Sequence, residues 1–232
     1  MSIITISRQM ASGGCEIAAE VAKTLGFRFI DREIIHRASE EAGVPKTALE
    51  EIAYEGRRNI VDRILQAMNA MPPVPRTAEA WRREAAISGS QPFGGIFSPA
   101  VPPFAVTLKD YMQVVEMVVR NLAQEGHVVI LGRGGQVILQ DAPQAIHVQI
   151  VAPFQRRVAT LVDRDELEEK EASARLGASD RARIDYMRRY YRVDWLDPTL
   201  YDLMINTAKM PPFLVAKLIV GAYRDLLGVS DA

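Results

Sequence analysis

Residues 3–30, IITISRQMASGGCEIAAEVAKTLGFRFI, decide the fold. Ile3 to Ser7 is an almost unbroken β-branched run, suited to a parallel strand buried on both faces. It breaks into Arg8-Gln9-Met10-Ala11-Ser12-Gly13-Gly14. Cys15 to Leu25 then predicts a helix, because Ile17, Ala18, Val21, Ala22 and Leu25 recur at helical spacing. Gly26 is the expected stop, and Phe27 to Ile30 reads as a second short strand. A helix that opens straight after a tight glycine turn presents backbone N–H groups that no carbonyl of the helix accepts. Such groups hold phosphate without needing a particular side chain. Met10, Ala11, Ser12, Gly13, Gly14 and Cys15 are therefore a candidate phosphate loop, with an ordinary strand-to-helix turn as the plain alternative.

Working outward, the other segments alternate in the same manner. Asp31 is a good N-cap for a helix to Ala42, with Glu33 in its first turn. Lys46 to Ala53 and Arg57 to Met71 read as helical. Between Met71 and Phe104 the prolines crowd (Pro72, Pro73, Pro75, Pro92, Pro99, Pro102 and Pro103), with a short helix expected near Ala78 to Ile87 around Trp81. A loop of that length usually marks a lid, a binding loop or an insertion. Thr107 is the expected cap of a helix through Ala123, with Met112, Val115, Val119 and Leu122 on its apolar side and Gly126 at its end. His127 to Leu131 and Ala145 to Val151 read as strands, with a short helix near Gln136 to Gln140 between them. Phe154 to Asp165 and Lys170 to Tyr191 predict charged helices. Leu203 to Asn206 reads as a late strand, and Pro212 to Leu227 as a closing amphipathic helix. Strands alternating with helices imply a parallel sheet with helices on both faces.

Composition narrows the function. With 48% hydrophobic and 25% charged residues, the 232-residue chain has an ordinary globular balance and enough length for one sizeable core. A formal net charge of -1 argues against coating nucleic acid or an anionic membrane by bulk charge, so any anion must be held by locally placed arginines. The single cysteine cannot form an internal disulfide, and no Cys/His grouping has zinc-site spacing. No apolar run is long enough to span a bilayer, and the start lacks a secretory pattern. A cytoplasmic protein with no metal ligands of its own is expected.

Ligands of parallel α/β sheets bind beyond the carboxyl ends of the strands. Here those ends carry Ser7-Arg8, Asp31-Arg32, Gly132-Arg133-Gly134-Gly135, Arg156-Arg157 one turn into a helix, and Asn206-Thr207. Arginines gathered beside a glycine turn suit tetrahedral or planar oxyanions. Asp180 and Arg183, at i, i+3, share a helix face and could equally form a surface ion pair. Cys15, at a helix start near arginine, is either a reactive thiol or a small side chain buried against the sheet, the latter being the plainer expectation. His147, inside an apolar strand, is expected to be structural, and His36 and His127 lie apart from any ligand-like spacing. The Tyr186-Met187-Arg188-Arg189-Tyr190-Tyr191-Arg192 run could stack on RNA. With this net charge and no second aromatic platform, it is read instead as a helix beside a lid.

These blocks together resemble the cytidylate kinase-like family of P-loop nucleoside monophosphate kinases. The resemblance lies in Ile4-Thr5-Ile6-Ser7-Arg8, Ser12-Gly13-Gly14, Glu16-Ile17-Ala18 and Asp31-Arg32-Glu33. It resumes in Val128 to Gly134, Ala152-Pro153, Arg157, Asp180 with Arg183, Tyr190-Tyr191, Asp194-Trp195, Asp197-Pro198, Tyr201-Asp202 and Asn206-Thr207. It implies a P-loop NTPase-type three-layer α/β/α core over residues 1–232 with a parallel sheet. It further implies a helical and irregular insertion at 57–106 as the acceptor-nucleotide lobe and a short lid within 165–195. The implied reaction moves the γ-phosphoryl group of ATP, with Mg2+, to CMP, dCMP or a similar nucleotide. The loop from Met10 to Cys15 would cradle the donor, while Asp31, Arg37 and Arg133 would engage the acceptor. Arg8, Arg157, Asp180 and Arg183 would serve catalysis.

The chain departs from the pattern at one place. A P-loop kinase carries lysine after the last loop glycine, and that position here is Gly14. The resembling family commonly carries arginine after Gly-Gly, and here Cys15 follows. Glu16 in the first helical turn would repel phosphate unless an arginine or a metal intervenes. Arg8 is the nearest substitute cation. The competing expectation is a non-catalytic nucleotide-binding sensor or interaction protein with a degenerate loop; an RNA-binding role through the tyrosine-arginine run is the third. The acceptor base and the oligomeric state are left open by the sequence.

Overall fold

The computed structural model describes residues 2–31 and 108–227. The readings for 32–107, Arg37 and the acceptor-lobe segment among them, lie outside the described residues. The described elements are β1 (Ile3–Arg8), α1 (Gly14–Leu25), β2 (Arg28–Ile30), α2 (Leu108–Gln124), β3 (Val128–Leu131) and α3 (Gly135–Ile138). They continue with β4 (Ala145–Val151), α4 (Phe154–Asp165), α5 (Glu169–Tyr186), β5 (Leu203–Asn206) and α6 (Pro212–Leu227). A π-turn, Met187–Tyr191, extends α5, and a 3-10 turn covers Pro198–Leu200. Each boundary falls within a few residues of the expected one.

The five strands form one parallel sheet in the order β2-β3-β1-β4-β5. β1 is central and covered on both faces, which suits its β-branched run. Ile4, Ile6, Val129, Leu131, Ile146, Val148 and Ile150 point to one side, where Ile17, Val21, Val215 and Ile219 of α1 and α6 meet them. Ile3, Val128 and Ile130 point to the other, against Met112, Val115, Val119 and Leu122 of α2. The expected apolar side of α2 is thus the buried one. α4 and α5 form a hairpin with its own small core of Val158, Leu161, Ala172 and Leu176. The result is the three-layer α/β/α architecture expected from the sequence.

The α2 face of the sheet also carries a polar row. Thr5 Oγ1 lies 2.7 Å from His147 Nδ1. Burial holds His147 below the usual imidazole range, against the pull of Asp202 and a hydrogen bond to the Leu139 backbone. The ring is buried inside the sheet, where a structural role is expected. Gln149, paired with Ser7 in register, is fully buried, and among the described residues neither amide atom has a hydrogen-bonding partner. A buried amide without partners keeps its desolvation penalty. Gln149→Met, which keeps the volume, should therefore raise the unfolding free energy by about 1 kcal/mol. Urea unfolding checks this as a higher midpoint at constant m; a lower midpoint would mean that the amide is satisfied.

Candidate functional site

The segment between β1 and α1 is held at both ends. Gln9 N donates to Ile150 O at 3.0 Å, and Gln9 Oε1 accepts from Ala152 N at 3.0 Å. Ser12 is buried, and its hydroxyl donates to Gln9 O at 2.8 Å. From β5, Thr207 Oγ1 donates to Ser12 O at 2.9 Å. Met10 and Ala11 pack against the apolar face of the α4–α5 hairpin. Ala11 and Gly13 take left-handed φ values of 59° and 80°, so the chain doubles back before α1 begins. Gly13 is the N-cap and no side chain caps the helix. The first N–H groups of α1 therefore stand at a strand end with the helix dipole behind them.

Gly14 is buried for a steric reason. A methyl group in place of its hydrogen would fall 2.4 Å from Arg8 Cβ and 2.8 Å from Arg8 Cγ. The Arg8 stem thus lies flat on the start of α1. Its guanidinium reaches the turn after β3, where a methyl group on Gly132 would fall 2.7 Å from Arg8 Nη1. One arginine therefore spans two glycine turns. In the second turn Gly132, Arg133 and Gly134 all have positive φ (78°, 58° and 69°). Three successive left-handed residues curl that backbone tightly, and Gly132 N donates to Ile6 O at 2.9 Å to fix it to β1. Arg133 is half-buried on this turn, and Asp31 follows β2 at the neighbouring strand end.

Arg157 and Asp180 meet, and the i, i+3 reading of Asp180 with Arg183 gives way to this longer-range pair. Arg157 Nη1 and Nη2 donate to the two Asp180 oxygens at 3.1 and 2.7 Å, while Nε donates to Ala152 O at 3.1 Å. The planar guanidinium favours this bidentate geometry. Arg157 is 3% exposed and sits 5.3 Å from the Phe154 ring centroid. Arg183 donates to the Ser179 hydroxyl and lies 5.7 Å from the Trp195 ring centroid.

Cys15 corrects the expectation of a thiol packed against the sheet: it is exposed. The buried stripe of α1 runs through Gly14, Ile17, Ala18, Val21 and Ala22, which turns positions 15 and 16 outward. Glu16 has an arginine within electrostatic reach. Arg164 on α4, bonded to Asp165 at 2.6 Å, has its charge favoured by Asp165 first and also by Cys15 and Glu16. Nothing in the local sequence of α1 could have signalled Arg164, which arrives from another element. The clamps from Gln9 and Thr207 were equally invisible for that reason. The tyrosines of the 186–192 run do not form an open platform: Tyr186 is buried, with ring centroids of Tyr190 and Tyr191 at 5.1 and 5.7 Å. Among the described residues no group of three or more His, Cys, Asp or Glu could hold a metal, and no helix is long and apolar enough to cross a membrane.

A central strand, a glycine loop and an uncapped helix, on a parallel sheet of this strand order, define a P-loop NTPase-type α/β/α protein. The model of the cytidylate kinase-like family matches residues 3–209, and the chain belongs to that family. It is 33% identical over 76 residues to a cytidylate kinase of Sulfolobus acidocaldarius, covering 33% of this chain and 42% of that protein. A cytidylate kinase of Ignicoccus hospitalis is 23% identical over 222 residues, covering 94% and 97% of the two chains. The first relatives matched are aligned over only 18% to 56% of their own length. An uncharacterized protein from Eubacterium ventriosum has the same fold, with a TM-score of 0.64 and 17% identity over 96% of this chain and 98% of that one.

Proposed function

We propose that this chain is an ATP-dependent nucleoside monophosphate kinase that phosphorylates CMP, dCMP or a similar nucleotide. The observation that carries the reading is Arg8, whose side chain covers the start of α1 and ends at the Gly132–Gly134 turn. A cation in that position faces both a donor held by the loop and an acceptor held by Arg133. Phosphoryl transfer needs two anions aligned and their spreading charge neutralised, which arginines and backbone N–H groups can do without a general base. In this reading Arg157 and Asp180 act by bracing the hairpin on the end of β4, and Arg183 belongs to the hairpin side of the site. Mg2+ would supply further charge neutralisation while held mainly by the nucleotide phosphates, which suits a site without a carboxylate cluster. The cell interior, where ATP is found, is the matching location.

The test is nucleoside diphosphate formation from ATP, Mg2+ and each of CMP, dCMP, UMP, AMP and GMP. Turnover with a pyrimidine acceptor is expected, with a loss of about a thousandfold in Arg133→Ala, as for other removed phosphate-side arginines. Micromolar ATP binding without turnover on any acceptor would favour a nucleotide sensor. Neither binding nor turnover would overturn both.

A further inference from the structure

Three aromatic residues that follow the α4–α5 hairpin sit beside the candidate loops, against Gly134, Ser7 and Gln136. The Tyr191 ring lies against Gly134, where a methyl group would fall 2.8 Å from its Cε2. Trp195, 3% exposed, donates from Nε1 to Ser7 Oγ at 2.9 Å. Tyr201 donates its hydroxyl proton to Trp195 O at 2.7 Å and accepts from Gln136 Nε2 at 3.2 Å. Trp195 is thus held from both sides: its N–H is spent on Ser7 Oγ, and its carbonyl takes the Tyr201 proton. It cannot turn away without leaving its buried indole N–H unpaired.

These bonds join three parts of the site. Ser7 directly precedes Arg8, Gln136 follows the Gly132–Gly135 turn, and the outer face of Trp195 carries Arg183 from α5. We propose that Trp195 is a positioning residue that couples the α4–α5 hairpin to Arg8. Through its ring it takes up the position of Arg183, and through its N–H it holds the side chain of Ser7 at the strand end from which the next residue, Arg8, reaches across Gly14 to Gly132. This rests on the reading of the glycine loop as a phosphoryl-transfer site. Binding of ATP to the backbone groups of the loop needs only the loop itself. Alignment of the transferred group needs Arg8 in place, so Trp195 should act on turnover more than on binding.

The test compares wild type with Trp195→Phe, which keeps an aromatic ring under Arg183 but removes the N–H, and with Ser7→Ala and the double variant. Far-UV circular dichroism and urea midpoints establish that each is folded at the assay temperature. Trp195→Phe should lower kcat about tenfold while ATP affinity by calorimetry changes by less than about twofold. The double variant should be no worse than about the poorer single one, since both remove the same bond. Equal losses in kcat and ATP affinity, additive losses, or an unchanged kcat would each overturn the coupling while wild-type turnover left the kinase reading standing. A variant that fails to fold is replaced by Ser7→Ala alone, which must show the same split. Wild type without turnover would overturn both readings.

Discussion

Gly14→Lys is expected to lower turnover by about a hundredfold, the size of effect that a displacement of about 1 Å near reacting groups can have, although it writes the usual P-loop lysine into its usual place. Any side chain there begins with a Cβ only 2.4 Å from the Cβ of Arg8. Arg8 Cβ is not the far end of a flexible chain. It is fixed by β1, which is hydrogen-bonded to β3 on one side and β4 on the other. Relief must therefore come from lifting the start of α1 or expelling the Arg8 stem, and either one opens the contact with Gly132. Overpacking of this kind also destabilises, by about 1–3 kcal/mol. Gly14→Ala should show most of the same loss, because the clash belongs to Cβ and not to the charge. Cys15→Arg, at an exposed position on the same helical turn, should keep the fold and at least the wild-type ATP affinity. Steady-state kinetics on the three variants decides it: a Gly14→Lys enzyme as active as wild type would show that Arg8 is dispensable.

Asp180→Ala should destabilise the protein by about 3 kcal/mol, at the lower end for breaking a buried ion pair. The side chain of Arg157 is 4% exposed and would be left with its charge and two donors uncompensated. Asp180 itself keeps 20% of its side-chain surface exposed, so water can partly take its place, which sets the lower figure. Replacing both partners, as Arg157→Met with Asp180→Leu, should recover most of the loss, since the cost lies in the orphaned charge. Urea unfolding of the two variants measures this. A loss under about 1 kcal/mol in Asp180→Ala would mean that the guanidinium reaches solvent, and so could reach an anion as well.

Much of the core was legible because it is periodic. β3 is a continuous apolar run, β1 and β4 keep Ile or Val at the alternate positions of one face, and α1, α2 and α6 carry their buried residues at helical spacing. The glycines that end α1 and α2 do so with left-handed φ values of 66° at Gly26 and 70° at Gly126. The candidate phosphate loop could be placed from its glycines, and Arg8 could be nominated from its strand-end position. What local spacing could not supply was partnership. Asp180 reads naturally with Arg183 three residues on, yet its carboxylate is taken by Arg157, 23 residues away. Cys15 is exposed although cysteine as a residue type usually buries, because the stripe through Gly14, Ile17 and Ala18 turns position 15 outward. The closure of Ser7 with Trp195 joins positions 188 residues apart, and no pattern within either segment announces it.

The placement of β1 also has a bearing on how the chain comes off the ribosome. The first of the five described strands occupies the middle of the sheet, and its two neighbours are β3 and β4. Ile3 can find neither Val128 nor Ala145 until those residues have emerged. At about 5–20 residues per second, this isoleucine-rich strand waits several seconds without a partner. Its own helix, α1, is the nearest cover during that time, because Ile17, Ala18 and Val21 already face the side chains of Ile4 and Ile6 in the finished core. The strand–loop–helix unit that forms the candidate site is in this sense also the nascent chain's first shelter, and changes that weaken α1 would be felt as aggregation during synthesis before they were felt in the folded protein.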